Sequence, residues 1–134
     1  MISTKVSYLG DLRTKCTHLK SESSFFTDAP TDNKGKGEAF SPTDLIAASY
    51  ASCMLTIIGI YCNANQLNFI HGEVEVIKEM SASPRSIKKL TINLDLSGNN
   101  WSEIECDKIE IAANNCPVAL TLEGNIETEL KYTF

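Results

Sequence analysis

Residues 41–65 read SPTDLIAASYASCMLTIIGIYCNAN, and the rest of the fold follows from this stretch. The pattern predicts one long helix. Ser41 is a natural N-cap, because its hydroxyl can accept a hydrogen bond from a free backbone N–H of the first turn. Pro42 suits the first helical position, where its missing N–H costs nothing. Asp44 falls in the first turn, where the helix dipole favours a carboxylate and a capping box places its acid. It is the only charged residue in the stretch. A helix apolar on almost every face must be buried on almost every side. At about 1.5 Å per residue it would run roughly 37 Å, the width of a small domain. A chain of 134 residues can hardly enclose it alone, which points to a partner subunit.

The length is that of one domain, residues 1–134, with a proper core. An apolar content of 43% and a net charge of −5 are ordinary for a globular protein. The acidic balance argues against a nucleic-acid binder, which needs clustered Lys and Arg to neutralise phosphates. The start, MISTKVSYLG, has no apolar h-region and no cleavage motif, so no signal peptide is expected. Residues 41–65 have the length of a membrane span. Their Ser, Thr, Tyr, Asn and Cys content, with Asp44 near one end, favours a buried core helix instead. The five cysteines are Cys16, Cys53, Cys62, Cys106 and Cys116, and no CxxC occurs. That fits neither a disulfide framework nor a zinc site, and it predicts a cytoplasmic protein with reduced thiols and no metal.

Working outward from the helix, residues 1–40 read as β-rich. Lys5 to Leu9, Arg13 to His18 and Ser23 to Thr27 predict a three-strand meander, with a turn at Gly10-Asp11. Asp28 to Glu38 is a polar loop that feeds the helix start and could form the mouth of a site. Beyond Asn65, residues 72–80 and 90–97 predict a hairpin around Ser81–Arg85. In its second arm Leu90, Ile92, Leu94 and Leu96 alternate with polar residues. Ser102 caps a second helix through about Asn114. Pro117 opens a short third helix closed by Gly124, and Ile126 to Phe134 form a last strand. The order is βββ-α-ββ-α-α-β, an α+β pattern.

Two thiols carry the chemistry. Cys53 lies at the middle of the long helix, where a cysteine is often an inert packed residue. Cys116 directly precedes Pro117 at a helix start, where free N–H groups lower a thiol's pKa. A pair of this kind can run a peroxidase cycle of sulfenic acid, disulfide and reset by a dithiol. Cys16, Cys62 and Cys106 read as structural thiols. Tyr50, one turn before Cys53, and Phe40 could line a pocket or fill the core.

The run FSPTDLIAASYASC, followed downstream by CPVALTL, resembles the OsmC/Ohr family of thiol-dependent hydroperoxide reductases. The resemblance extends over nearly the whole chain, including the YLGDLR start. It implies an OsmC-like fold in which a long central helix is wrapped by antiparallel sheets in an intertwined homodimer, with each site at the subunit interface. It implies that Cys53 is peroxidatic and Cys116 resolving, that Arg13 stabilises the thiolate, and that an acid near the helix start orients that arginine. In the well-studied reductases this acid directly follows the motif proline, a position held here by Thr43. Asp44 comes next, and two roles stand open for it: orienting Arg13 or capping the helix. The implied activity is reduction of organic hydroperoxides in oxidative-stress defence, with no bound cofactor, an external dithiol (lipoyl-type in the family) as reductant, and no nucleic-acid or membrane partner. The alternatives are a non-peroxidase binding an apolar small molecule in the dimer cleft, and a thiol redox sensor.

Overall fold

The structure, a computed structural model, describes all residues from Met1 to Phe134. The elements are β1 (Thr4–Gly10), β2 (Arg13–His18), β3 (Ser24–Asp28), a 3-10 turn (Thr31–Asn33), α1 (Pro42–Ala64), β4 (Glu73–Ala82), β5 (Arg85–Asp95), α2 (Glu103–Asn114), α3 (Pro117–Leu122) and β6 (Glu127–Thr133). This is the α+β order expected from the sequence. The chain forms two compact units, Met1–Ile46 and Ala47–Phe134.

The first unit is an antiparallel meander in the order β1-β2-β3. Its first turn puts Gly10, Asp11 and Leu12 at φ of 87°, 53° and 62°. Three successive residues in the left-handed region make a sharp reversal, which Gly and Asp tolerate best. In the polar loop a Cβ on Gly35 would lie 1.7 Å from the Ala29 carbonyl oxygen, so only glycine fits there. The unit has almost no apolar core. Its buried residues are Thr27, Asp28 and Ser41, while Val6, Tyr8, Phe25 and Phe26 stay exposed.

The second unit holds the core. Met54, Ile58 and Cys62 of α1 belong to one cluster with Leu90, Ile92, Leu94 and Leu96, and with Ile109, Ala113, Cys116 and Ala119 of α2 and α3. Burying each large aliphatic side chain contributes about 1.5–3 kcal/mol before the entropy cost of ordering. β5 is central, between β4 and β6, which explains the strict alternation of its leucines and isoleucine. It begins at Arg85, earlier than the alternation suggested, because Ser81 and Ala82 still pair with Ser86 and Arg85.

The sheet is not wholly antiparallel as expected. β4 pairs β5 antiparallel, but β5 pairs β6 parallel, with Ile92 opposite Leu130. The reason is the long connection through α2 and α3, a crossover that returns the chain to run in the same direction.

α1 has the length and composition of a membrane span, and it packs Met54, Ile58 and Cys62 into this core. One chain covers it on one side only. Ile46, Ser49, Ser52, Thr56 and Ile60, at helical spacing, remain exposed.

Candidate active site

In the first unit Arg13 opens β2 and Asp28 closes β3, and the antiparallel register sets them directly opposite each other. Directly opposed residues share a face and stand close enough for their side chains to meet. Arg13 Nε donates to Asp28 Oδ1 at 2.7 Å and Nη2 to Oδ2 at 2.8 Å, a bidentate fork. Nη2 also reaches Glu38 Oε2 at 3.2 Å, and the Glu38 N–H donates to Asp28 Oδ2 at 3.1 Å. The Arg13 guanidinium lies 6.0 Å from the Phe26 ring centroid, within cation–π range. Asp28 is 1% exposed, so it needs these partners. The hydrogen bond from Arg13 holds the Asp28 carboxyl below the usual carboxylate range against the opposing effect of burial. The same bond raises Arg13 further above its already high value, so it is always charged.

The start of α1 resolves one role of Asp44. Its Oδ2 accepts from the Ser41 N–H at 3.0 Å, and its own N–H donates to Ser41 Oγ at 3.1 Å. Both halves of a capping box are present. Thr43 Oγ1 lies 3.2 Å from Ser41 Oγ, in the same cap. Phe40 is exposed, and its carbonyl accepts from the Asp28 N–H at 3.0 Å. Of the residues around Arg13, sequence reasoning missed Asp28 and Glu38. Both lie at the ends of a stretch that reads as polar loop, and only the β2–β3 register shows that Asp28 faces Arg13.

In the second unit Cys53 and Cys116 come together. Cys53 packs against the buried cluster that contains Cys116, and the two thiols lie near enough to influence each other's ionisation. All five cysteines are free. Cys53 is half-buried on α1, while Cys116 is fully buried. Cys116 is the N-cap of α3, and its Sγ accepts from the Ala119 N–H at 3.4 Å. The sequence suggested a lowered pKa for this thiol, and the structure corrects that. Burial pushes the Cys116 thiol up, the amides of Ala119 and Val118 pull it down, and the neighbouring Cys53 pushes it up again. The helix start is outweighed because the thiol is withdrawn from water.

Tyr50 stands one turn before Cys53 and is buried. Burial pushes its phenol up, against a hydrogen bond with Thr128, and the charge of Cys116 adds to the push. Tyr50 lines a cavity of about 240 Å³ with Asn114, Ala119, Leu122, Ile126 and Thr128. Cys62 is sealed in the core, where burial raises its thiol. Cys16 and Cys106 are half-buried and outside the pair. No cluster of His, Cys, Asp and Glu has the arrangement of a metal site.

A family profile described as OsmC-like protein matches residues 35–131. The chain belongs to the OsmC-like family. Among related sequences, an organic hydroperoxide resistance protein-like chain of Staphylococcus aureus strain MRSA252 is 31% identical over 97 residues, 70% of this chain and 69% of that one. A solved structure described as a putative osmotic stress induced and detoxification response protein from Psychrobacter arcticus 273-4 is 41% identical, with a TM-score of 0.93 over 99% of this chain and 96% of that one. An organic hydroperoxide resistance protein OsmC from Legionella pneumophila superposes with a TM-score of 0.77 over 100% of this chain and 98% of that one. At 19% identity it shows the shared OsmC-like fold alone. The FSPTDLIAASYASC and CPVALTL segments both lie inside the matched residues, and Arg13 lies before them.

Proposed function

We propose that this OsmC-like protein reduces organic hydroperoxides with the Cys53–Cys116 pair. The observation that carries the reading is the closeness of a half-buried thiol on α1 to a buried thiol at the start of α3, near enough for each to influence the other's ionisation. In the first step the Cys53 thiolate attacks the distal peroxide oxygen. An S–O bond forms, the O–O bond breaks, and the alcohol leaves with a proton, so Cys53 becomes a sulfenic acid. Cys116 then attacks the Cys53 sulfur, an S–S bond forms and water leaves. An external dithiol reduces the disulfide by exchange and is itself oxidised. A Cys116 thiol that keeps its proton can donate it toward the neighbouring sulfur until its turn comes.

In this reading Arg13 is the cation that favours a thiolate, and Asp28 and Glu38, which already hold it, orient it. Asp44 serves first as the helix cap. The reading extends to a homodimer, supported by the exposed stripe of α1 and by the exposed aromatic residues of the first unit, and to a cytoplasmic location, where the thiols stay reduced. The name of the Staphylococcus aureus relative agrees with the substrate class. A second reading, binding of an apolar molecule without turnover, has in its favour the cavity beside Tyr50, walled by Leu120, Leu122, Ile126 and Leu130. Purified protein with cumene hydroperoxide and a dithiol distinguishes the two. Turnover that disappears in Cys53→Ser supports the peroxidase, and absence of turnover in the wild type overturns it.

A further inference from the structure

A separate cavity of about 520 Å³ opens in the second unit, lined by Trp101, Glu103, Cys106, Asp107, Glu110, Leu130, Tyr132 and Phe134. Its walls are aromatic. Tyr132, near the end of β6, and Phe134, just beyond it, stack with centroids 5.6 Å apart and planes at 10°. Trp101 meets Phe134 edge-on at 6.4 Å and 66°. Two of the rings are anchored to residues outside the cavity lining. Trp101 Nε1 donates to the Asn68 carbonyl at 2.8 Å and packs on Phe69, and the Tyr132 hydroxyl donates to Asn114 Oδ1 at 2.6 Å. Their polar atoms are thereby spent away from the cavity.

The remaining walls are anionic. Glu103, Asp107 and Glu110 follow one another at helical spacing on α2, so their carboxylates share one side of the helix. No Lys, Arg or His lines the cavity to balance them. The charge of Glu110 is felt at Tyr132, whose phenol it pushes up together with burial. The Cys106 thiol is also pushed up, by burial and then by Asp107 and Glu105, and it adds no negative charge of its own. A second hollow of about 220 Å³ shares Trp101, Cys106 and Phe134 with the first and leaves room for a longer molecule.

We propose that this cavity binds a bulky organic cation, a quaternary or alkylated ammonium group seated against the Trp101, Tyr132 and Phe134 rings and balanced by Glu103, Asp107 and Glu110. Aromatic faces attract a cation through their quadrupole, and the attraction is strongest where the cation carries little bound water. A metal ion is a poor occupant, because it needs converging oxygen ligands and Glu103, Asp107 and Glu110, spread along α2, do not gather into a metal-binding group. A neutral apolar molecule would leave the carboxylates uncompensated. The site involves neither thiol of the Cys53–Cys116 pair and stands whether or not the protein is a peroxidase.

Trp101 is the only tryptophan in the chain, so its fluorescence reports occupation directly. The probe is choline, against 3,3-dimethylbutan-1-ol, which has the same shape without the charge. The expected result is a saturable change in emission with choline and binding about tenfold tighter than that of the neutral alcohol. Asp107→Asn with Glu110→Gln should weaken choline about fivefold and leave the alcohol unchanged. If the double variant unfolds, Asp107→Asn alone, at an exposed position, carries the comparison. No saturable change with choline overturns the proposal. So does a change matched by equal sodium chloride, equal binding of the two probes, or choline affinity unaltered in the folded variant. A lysine-rich peptide that shifts Trp101 where choline does not would overturn it in favour of a protein partner.

Discussion

Replacing Asp44 by alanine removes one half of the capping box at the start of α1. The Asp44 carboxylate accepts from the Ser41 N–H at 3.0 Å and sits in the first turn of a 23-residue helix. Losing a charge-assisted hydrogen bond and a favourable dipole contact costs about 1–2 kcal/mol, while the reciprocal bond from the Asp44 N–H to Ser41 Oγ survives. Urea unfolding followed by circular dichroism reads this directly. With a slope of about 1–3 kcal/mol per molar urea, the midpoint should fall by about 0.5–1 M at unchanged slope. Because Asp28 and Glu38 already hold Arg13, the hydroperoxide turnover per folded molecule should stay within about threefold of wild type. An unchanged midpoint would refute the capping argument. A collapse of turnover with the midpoint preserved would refute the claim that capping is the main task of Asp44.

Three further outcomes follow from the same geometry. Cys116→Ser keeps an acceptor for the Ala119 N–H, so stability should change by no more than about 1 kcal/mol in thermal unfolding. Multiple turnover should nevertheless disappear, leaving one equivalent of peroxide consumed and a sulfenic acid that dimedone traps at Cys53. Asp28 has a folded-state pKa depressed below 3.8, so its contribution to stability is present above that value and is lost as pH falls through the folded pKa. Asp28→Asn should therefore lower the unfolding midpoint at pH 7 and flatten its decline in acid, and a parallel decline in variant and wild type would count against the ion pair. Arg13→Lys loses the bidentate fork to Asp28 and should cut peroxide turnover by about tenfold or more, read in a coupled dithiol assay. Full activity in this variant would remove Arg13 from the mechanism.

The sequence made the elements legible where one physical signal governed each. Apolar continuity from Leu45 to Cys62 with a capped start gave α1, and alternation from Leu90 to Leu96 gave the central strand. Ser102 with Glu105 gave the capped start of α2, a complete capping box. The parallel pairing of β6 was not legible, because alternation specifies which face a strand buries and not the direction of its neighbour. The partners of Arg13 were hidden for a related reason. Asp28 is brought to Arg13 by strand register, a long-range fact, and Glu38 by the path of a loop. Cys116 shows a local rule losing to burial. A thiol at a helix start was expected to be acidic, but full withdrawal from water raises it despite the amide of Ala119.

The central claim is that Cys53 and Cys116 form one redox pair. It is tested most directly by treating the reduced protein with one equivalent of cumene hydroperoxide, digesting it without reductant and mapping the peptides by mass spectrometry. The account predicts a near-stoichiometric peptide cross-linked between Cys53 and Cys116, with Cys16, Cys62 and Cys106 still free thiols. Oxidation of Cys53 with Cys116 left as a free thiol, or a disulfide from Cys53 to another cysteine, would contradict it.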